Sequence, residues 1–411
     1  MIKPTHFPDE LYMSAFGYEL PEEKIARFPL QQRDASKLLV WQSGHIREGQ
    51  YAGIGNFLPS PCLLVFNNSR VVEARILFQK PTGGQIEIFC LEPQAGQSIS
   101  EGMKQTRSVL WICLIGGASK WKRHQVLIKE FGQIRLEARF IEKRKDDFVI
   151  EFSWTPGKLP FAYILHQLGS IPLPPYLKRS ADISDAERYQ TVYAKETGSV
   201  AAPTAGLHFN EQLIQNLIRK GIEPLYLTLH VGAGTFMPVK TDKLSEHHMH
   251  EEFIEVCAAK IEKLISKLQE PVIAVGTTSL RTLETLYWLG LKISKHKNIS
   301  AGELLLDQEY PYREAGNIST ADALLYLLDW LKREPEEKLI TKTKLFIVPG
   351  YKFKMVHGLV SNFHQPYSTL LLLVAAFIGP SWKSVYSFAL DHEYRFLSYG
   401  DGCLFLPGAF S

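Results

Sequence analysis

The chain has 411 residues, 46 Lys and Arg against 43 Asp and Glu, a formal net charge of +3 and 45% hydrophobic residues. At about 100–200 residues per domain this is two or three domains with ample core, and so slight a basic excess does not by itself mark a nucleic-acid binder. Five cysteines (Cys62, Cys90, Cys113, Cys257, Cys403), odd in number and without a C-x-x-C pair, argue against a disulfide framework and for a reducing, cytoplasmic compartment.

The first twenty residues carry Pro, Asp and Glu where a signal peptide needs an apolar core. Residues 1–72 read as a lead-in ending on a buried strand, CLLVF (62–66). From 73 to 155 the texture is all-β. Gly83-Gly84 precedes the strand QIEIFCLEP, VLWICLIG (109–116) is another, and RLEARFI and FVIEFSW make a hairpin about the charged turn EKRKDD (142–147). This predicts a small β-barrel, 73–155, inserted into a discontinuous α/β domain made of 1–72 and 156–411.

Beyond 156, strands and helices alternate. KLPFAYILHQLG (158–169) is a helix stopped by Gly169. Asn210 caps EQLIQNLIRK, and Gly221 lies just past its end. PLYLTLHVG (224–232) and PVIAV (271–275) are strands, the second followed by the amphipathic helix LRTLETLYWLG. LFIV (345–348) and GLVSNF (358–363) continue the strand series. The alternation argues for an α/β fold with a largely parallel or mixed sheet. The polar stretch 291–344, with a helix near ALLYLLDWLKR, reads as a peripheral insertion. The apolar run Thr369–Ile378 is too short to span a bilayer and reads as a buried helix of a soluble protein.

Six segments hold candidate chemistry, and two basic faces add to them. GSVAAPTAGLHF (198–209) has no charged residue; its reactive or strongly hydrogen-bonding side chains are Ser199, Thr204 and His208. LHVGAGTF (229–236) has a Gly-x-Gly turn, but no third Gly and a Met-Pro where a dinucleotide turn would open a helix, which also disfavours a methyltransferase. GTTS (276–279) at a helix start either receives an anion, with Arg281 nearby, or is capping with an Arg281–Glu284 ion pair. EHHMHEE (246–252) is either a metal cluster or a solvated loop at a site, and the missing partner cluster favours the loop. SNFH (361–364), with Ser368, is a helix cap or a ligand contact, and YRFLSYGD (394–401) brings Arg395 and Asp401 together or closes the sheet. KWKRH (120–124) and Lys178-Arg179 are basic faces suited to phosphate or simply to water. Together these turns describe a preformed pocket for a polar small molecule.

Long, ordered blocks go further. They include LLVFNNSRVVEARI (63–76), ERYQTVYAKETGSVAAPTAGLHF (187–209), LHVGAGTFMPV (229–239), VGTTSLRTLET (275–285), VPGYKFKMVHGLVSNFHQPYSTLLLLVAAF (348–377) and YRFLSYGDGCLF (394–405). Through them the chain resembles the S-adenosylmethionine:tRNA ribosyltransferase-isomerase family of queuosine biosynthesis. The resemblance implies transfer and isomerisation of the ribosyl group of S-adenosylmethionine, a co-substrate, onto 7-aminomethyl-7-deazaguanine at the tRNA wobble position. Epoxyqueuosine forms, and adenine and methionine leave. It implies tRNA with a GUN-type anticodon as partner, no metal, no membrane and a monomer.

On that resemblance His208 is the first candidate for acid–base work, with His250 and Glu251 beside it. Thr204, Tyr189, Tyr193, His230, Thr277, Asn362, His364, Tyr399 and Asp401 are substrate contacts, and Arg281 holds the methionine carboxylate. Lys120, Lys122, Arg123, Lys178 and Arg179 would grip tRNA phosphates. The chain departs from the family where Asp is usual, at Gly17 and Asn68, in Thr341-Lys342-Thr343-Lys344, and in the length of 291–344. The departures keep a second reading open, a paralogue that binds tRNA or nucleoside without this catalysis.

Overall fold

The computed structural model describes residues 11–80, 82–94, 97–122, 124–232, 239, 241–296 and 298–408. A nine-stranded mixed sheet runs in the order Lys338–Thr343, Glu252–Cys257, Ile222–His230, Cys62–Asn67, Val272–Val275, Gly358–Asn362, Gly402–Leu406, Lys37–Gln42, His45–Gln50. The four strands from Ile222–His230 to Gly358–Asn362 are mutually parallel. The strands flanking them run antiparallel.

Strand side chains alternate between two cores, as the period of two requires. Leu39, Leu63, Val65, Ala274 and Phe405 face one layer of helices. Leu38, Leu64, Phe66, Val275 and Leu404 face the other side, which Glu211–Arg219 covers. That helix begins at Asn210, whose side chain accepts the Leu213 N–H at 2.7 Å, as expected of an N-cap.

The second sheet has six antiparallel strands in the order Arg75–Gln79, Gln85–Pro93, Ser108–Gly116, Phe148–Thr155, Ile134–Lys143, Leu127–Phe131. Its two edges approach each other, with Lys129 Nζ 3.1 Å from the Leu77 carbonyl, so the sheet is nearly a closed barrel. The predicted hairpin over 142–147 forms as expected. The helix expected at 158–169 is Phe161–Leu168, and its Phe161, Ile164, Leu165 and Leu168 fill the core of this barrel. The barrel's hydrophobic unit therefore extends past residue 155, because Trp111, Phe152 and Trp154 leave a space that the Phe161 ring occupies.

Two expectations need correction, and a third, the buried apolar helix, holds within a longer segment. LFIV (345–348) forms no strand; its residues are buried but make no ladder, and the strand lies just before it, at Lys338–Thr343. Nor is 291–344 peripheral. Lys338–Thr343 pairs with Glu252–Cys257, and Leu304, Leu324, Leu327 and Leu331 belong to the main core. The helix Thr320–Leu331 lies so close to Thr277–Lys295 that a Cβ on Gly290 would run into the Ala323 carbonyl. Finally, Thr369–Ile378 is joined by the turn Gly379–Ser381 to Trp382–Asp391, and the combined 369–391 segment is long and apolar enough to cross a membrane. More than half of its most apolar window, 56%, is buried inside the fold, which fits a core helix.

Candidate active site

The parallel strands end together, and a cleft opens at their C-terminal ends, where open α/β sheets place ligands. Its walls come from Ala201–Ala205, from Val231, from Gly276–Thr278 with Arg281, and from Ser361–Gln365. The small residues of 198–209 have a local reason. Ser199 Oγ accepts the Val231 N–H at 2.9 Å and donates to the Ala201 carbonyl at 2.9 Å, which folds the segment back on itself. At Gly206 a Cβ would collide with the Tyr193 hydroxyl.

Six of the expected residues line the cleft: Thr204, Tyr189, Thr277, Arg281, Asn362 and His364. Thr204 Oγ1 donates to Asn362 Oδ1 at 2.8 Å. The helix Thr277–Lys295 starts at Gly276 with no side-chain cap, and Gly276, Thr277 and Thr278 of its first turn line the cleft; an uncapped helix start favours a carboxylate. The Thr278 hydroxyl is buried there with no hydrogen-bond partner among the described residues. Thr278 and Ser398, which lie within the GTTS and YRFLSYGD segments but were not named as contacts, also line the cleft, as does Tyr176. Tyr176 Oη and Ser398 Oγ lie 2.6 Å apart. The signal for Thr278 was present in its place on the helix-start turn.

Arg281 does not pair with Glu284. One Nη binds Glu252, and Nε donates to the Leu345 carbonyl at 3.1 Å. Its other Nη is buried without a partner among the described residues, as is Glu252 Oε1. The guanidinium thus keeps one unsatisfied donor at a cleft wall.

His208 is placed differently from expectation. It lies behind Asn362, with Nε2 3.3 Å from Asn362 Nδ2, stacked on Tyr51 at 4.1 Å between ring centroids, and it is absent from the cleft lining. Burial drives its pKa down to about 3, as it does that of His364. His208 is therefore neutral at physiological pH and carries no imidazolium proton for general-acid work; in this position it orients Asn362. His364 lines the cleft, with Nε2 2.8 Å from Ser361 Oγ.

Both depressions carry the same sign for stability. The unfolded state protonates these rings near pH 6.5 and the native state only near 3, so stability is complete above about 6.5 and falls as pH drops toward 3. Melting temperature recorded from pH 7.5 to 4 should fall steadily. His208→Gln should flatten that slope; an unchanged slope would contradict the buried neutral ring.

The other candidates serve elsewhere. His230 Nε2 lies 3.3 Å from Glu255, which Lys338 also pairs at 2.6 Å; hydrogen bonds from these two side chains hold the Glu255 carboxyl at about 2 despite its burial. His230 lies outside the cleft lining. His250 is exposed, and Glu251 is bound by Lys342 and Lys344, both at 2.9 Å, so two of the four departing residues at 341–344 neutralise it. Tyr193 packs against Phe66 and Tyr226. Asp401 accepts the Lys37 and Arg395 N–H groups at 2.9 and 2.8 Å, tying the C-terminal strand to its neighbours. Tyr399 donates to Asp185 at 2.7 Å.

The tRNA candidates divide. Arg179 is no free cation: it grips Asp185 with both Nη atoms, at 2.6 and 2.8 Å, and lies over Phe28. Lys178 pairs with Glu22 at the surface. Lys120 and Lys122 are exposed and without ion pairs among the described residues, and Arg123 lies outside those residues. The glycine turn of LHVGAGTF, 233–236, also lies outside them. Among the described residues no group of three His, Cys, Asp or Glu is arranged for a metal.

A family-wide sequence profile described as "Queuosine biosynthesis protein" matches residues 13–405. The chain belongs to the queuosine biosynthesis protein family. Two relatives span its whole length. The S-adenosylmethionine:tRNA ribosyltransferase-isomerase of Thermosynechococcus vestitus is 35% identical over 407 residues, 98% of each chain. That of Dichelobacter nodosus is 37% identical over 406 residues, 97% of this chain and 96% of its own. A crystal structure of S-adenosylmethionine tRNA ribosyltransferase from Thermotoga maritima, 28% identical, covers 95% of this chain and 99% of its own, with a TM-score of 0.45. Of the departures from the queuosine family pattern, Gly17 has a steric counterpart: a Cβ there would strike the Tyr367 ring, which lies against it.

Proposed function

We propose that this protein transfers and isomerises the ribosyl moiety of S-adenosylmethionine onto a modified base of tRNA. The observation that carries this is end-to-end similarity to two relatives of that name, at 35% and 37% identity. The base is 7-aminomethyl-7-deazaguanine in a GUN-type anticodon, the product is epoxyqueuosine, and adenine and methionine leave.

In this reading the methionine carboxylate sits at the uncapped start of Thr277–Lys295, against the unpaired Nη of Arg281 and the Thr278 hydroxyl. Asn362, held by Thr204 and His208, presents its amide to the ribose or the base. The proton beside the sulfonium is acidified by the adjacent positive sulfur, so a weak base suffices. His364, neutral and in the lining, is better placed than His208 to receive it. The wobble base leaves its stack to enter the cleft, and Lys120 and Lys122 on the barrel meet tRNA phosphates. The barrel is an insertion into the larger α/β unit, and the enzyme works as a cytoplasmic monomer without a metal.

The test is incubation with S-adenosylmethionine and tRNA bearing the aminomethyl base, followed by mass analysis. Epoxyqueuosine with equimolar adenine and methionine is expected. S-adenosylhomocysteine would instead mark methyl transfer. Absence of product despite tRNA binding, with an active relative as control, would favour the non-catalytic paralogue.

A further inference from the structure

Two arginines next to the cleft have no carboxylate paired with them among the described residues. Arg33 donates from Nη1 to the Gln190 and Leu207 carbonyls at 2.8 and 3.1 Å, and from Nη2 to the Glu187 carbonyl at 3.0 Å. Arg188 donates to the carbonyls of Gln31, at 3.2 Å, and of Leu30. No Asp or Glu oxygen among the described residues lies within 4.0 Å of either guanidinium, the side chain of neighbouring Glu187 included. The Nε of Arg188 is buried with no partner among the described residues. Burial and the adjacent charge of Arg188 pull the Arg33 pKa below its usual value, so the two cations feel each other. Carbonyl bonds alone can be made by neutral side chains; two neighbouring guanidiniums with no directly paired carboxylate, Glu187 acting on Arg33 only at longer range, call for an anion.

The position identifies which anion. Arg33 and Arg188 line a small cavity with Leu30, His208, Tyr399 and Ser398, and Ser398 also lines the cleft. An anion held here would lie immediately beside the cleft. S-adenosylmethionine carries no phosphate, so a phosphate in this reaction comes from the RNA.

We propose that Arg33 and Arg188 form a phosphodiester site that seats the RNA backbone beside the nucleotide entering the cleft. The proposal rests on the functional reading above. It places the close RNA grip on segments 30–33 and 187–190, where Lys178 and Arg179 had been expected to supply it.

The experiment uses the full chain, a labelled anticodon stem-loop RNA titrated at several salt concentrations, and equilibrium dialysis of S-adenosylmethionine. Arg188→Gln and Arg33→Gln keep an amide donor for the carbonyls and remove the charge. Each should weaken RNA binding about tenfold at low salt and reduce the slope of log affinity against log salt by about one. S-adenosylmethionine affinity should stay within about twofold, and Arg188→Lys should recover part of the slope because the charge returns. RNA affinity and slope unchanged in both Gln variants would overturn the proposal. So would parallel loss of RNA binding, S-adenosylmethionine binding and melting temperature, which marks a structural brace only. Failure of the unsubstituted protein to bind the RNA is a different failure: it sinks the functional reading itself, and this proposal with it.

Discussion

Arg281→Met is expected to destabilise the fold by about 3–5 kcal/mol and to abolish S-adenosylmethionine binding. The two effects come from opposite sides of one guanidinium. Toward the protein, it neutralises Glu252, 3% exposed, and donates to the Leu345 carbonyl. Removing it strands a buried carboxylate, and the stranded charge costs more than the lost pair. Toward the cleft, it offers the unpaired Nη that the methionine carboxylate would take. A second substitution separates the two roles. Adding Glu252→Gln removes the stranded charge and should restore most of the stability, while ligand binding stays lost. Denaturant unfolding and equilibrium dialysis read the two separately. Binding that survives in the double variant would show that Arg281 is purely structural.

Glu284→Leu should cost at least about 4 kcal/mol, because the carboxylate is the acceptor for a whole loop. The N–H groups of Lys354, Met355 and Val356 donate to it at 2.9, 2.9 and 3.1 Å, and the Tyr351 hydroxyl at 2.9 Å. Leucine leaves these four donors buried and unmet, at about 1–3 kcal/mol each, partly offset by apolar packing. The loop leads directly into Gly358–Asn362, the strand that delivers Asn362 to the cleft. Activity should therefore fall with stability, and Glu284→Gln, which keeps an acceptor oxygen, should lie between. Stability of Glu284→Leu within about 1 kcal/mol of the parent would contradict this role.

Much of this was legible in the sequence where a local pattern settles the outcome. Asn210 followed by an amphipathic run, the alternating strands of the barrel and the uncharged turn ending at His208 each carry their own signal. What escaped depends on distant partners. Whether His208 faces the ligand or Tyr51 turns on the pitch of the short helix Thr204–His208, which no spacing rule fixes. Arg281 chose Glu252 over Glu284, three positions away, because the neighbouring strand brings that carboxylate beneath it. Lys338–Thr343 looked like surface because it is half polar, yet Thr341 and Thr343 are buried, using hydroxyl bonds to the Leu304 carbonyl and Thr285. The apolar LFIV looked like a strand because burial, not pairing, selects its residues. Arg33 and Arg188 were invisible as a pair because 155 positions separate them and nothing local links them.

The order of strands in the large sheet has a consequence for how the molecule is made. Gly402–Leu406 lies between Gly358–Asn362 and Lys37–Gln42, so the hairpin near the beginning of the chain is joined to the rest of the sheet only through a strand at its far end. While the ribosome is still adding residues, Lys37–Gln42 has one neighbour and one open edge, and Asp401, which ties Lys37 and Arg395 together, does not yet exist. Long-range closure of this kind is slow, and a nascent chain waiting with a bare edge is open to wrong pairing. A product ending ten residues before Leu406 would lack the joining strand altogether, so a working site forms only once Gly402–Leu406 has been made.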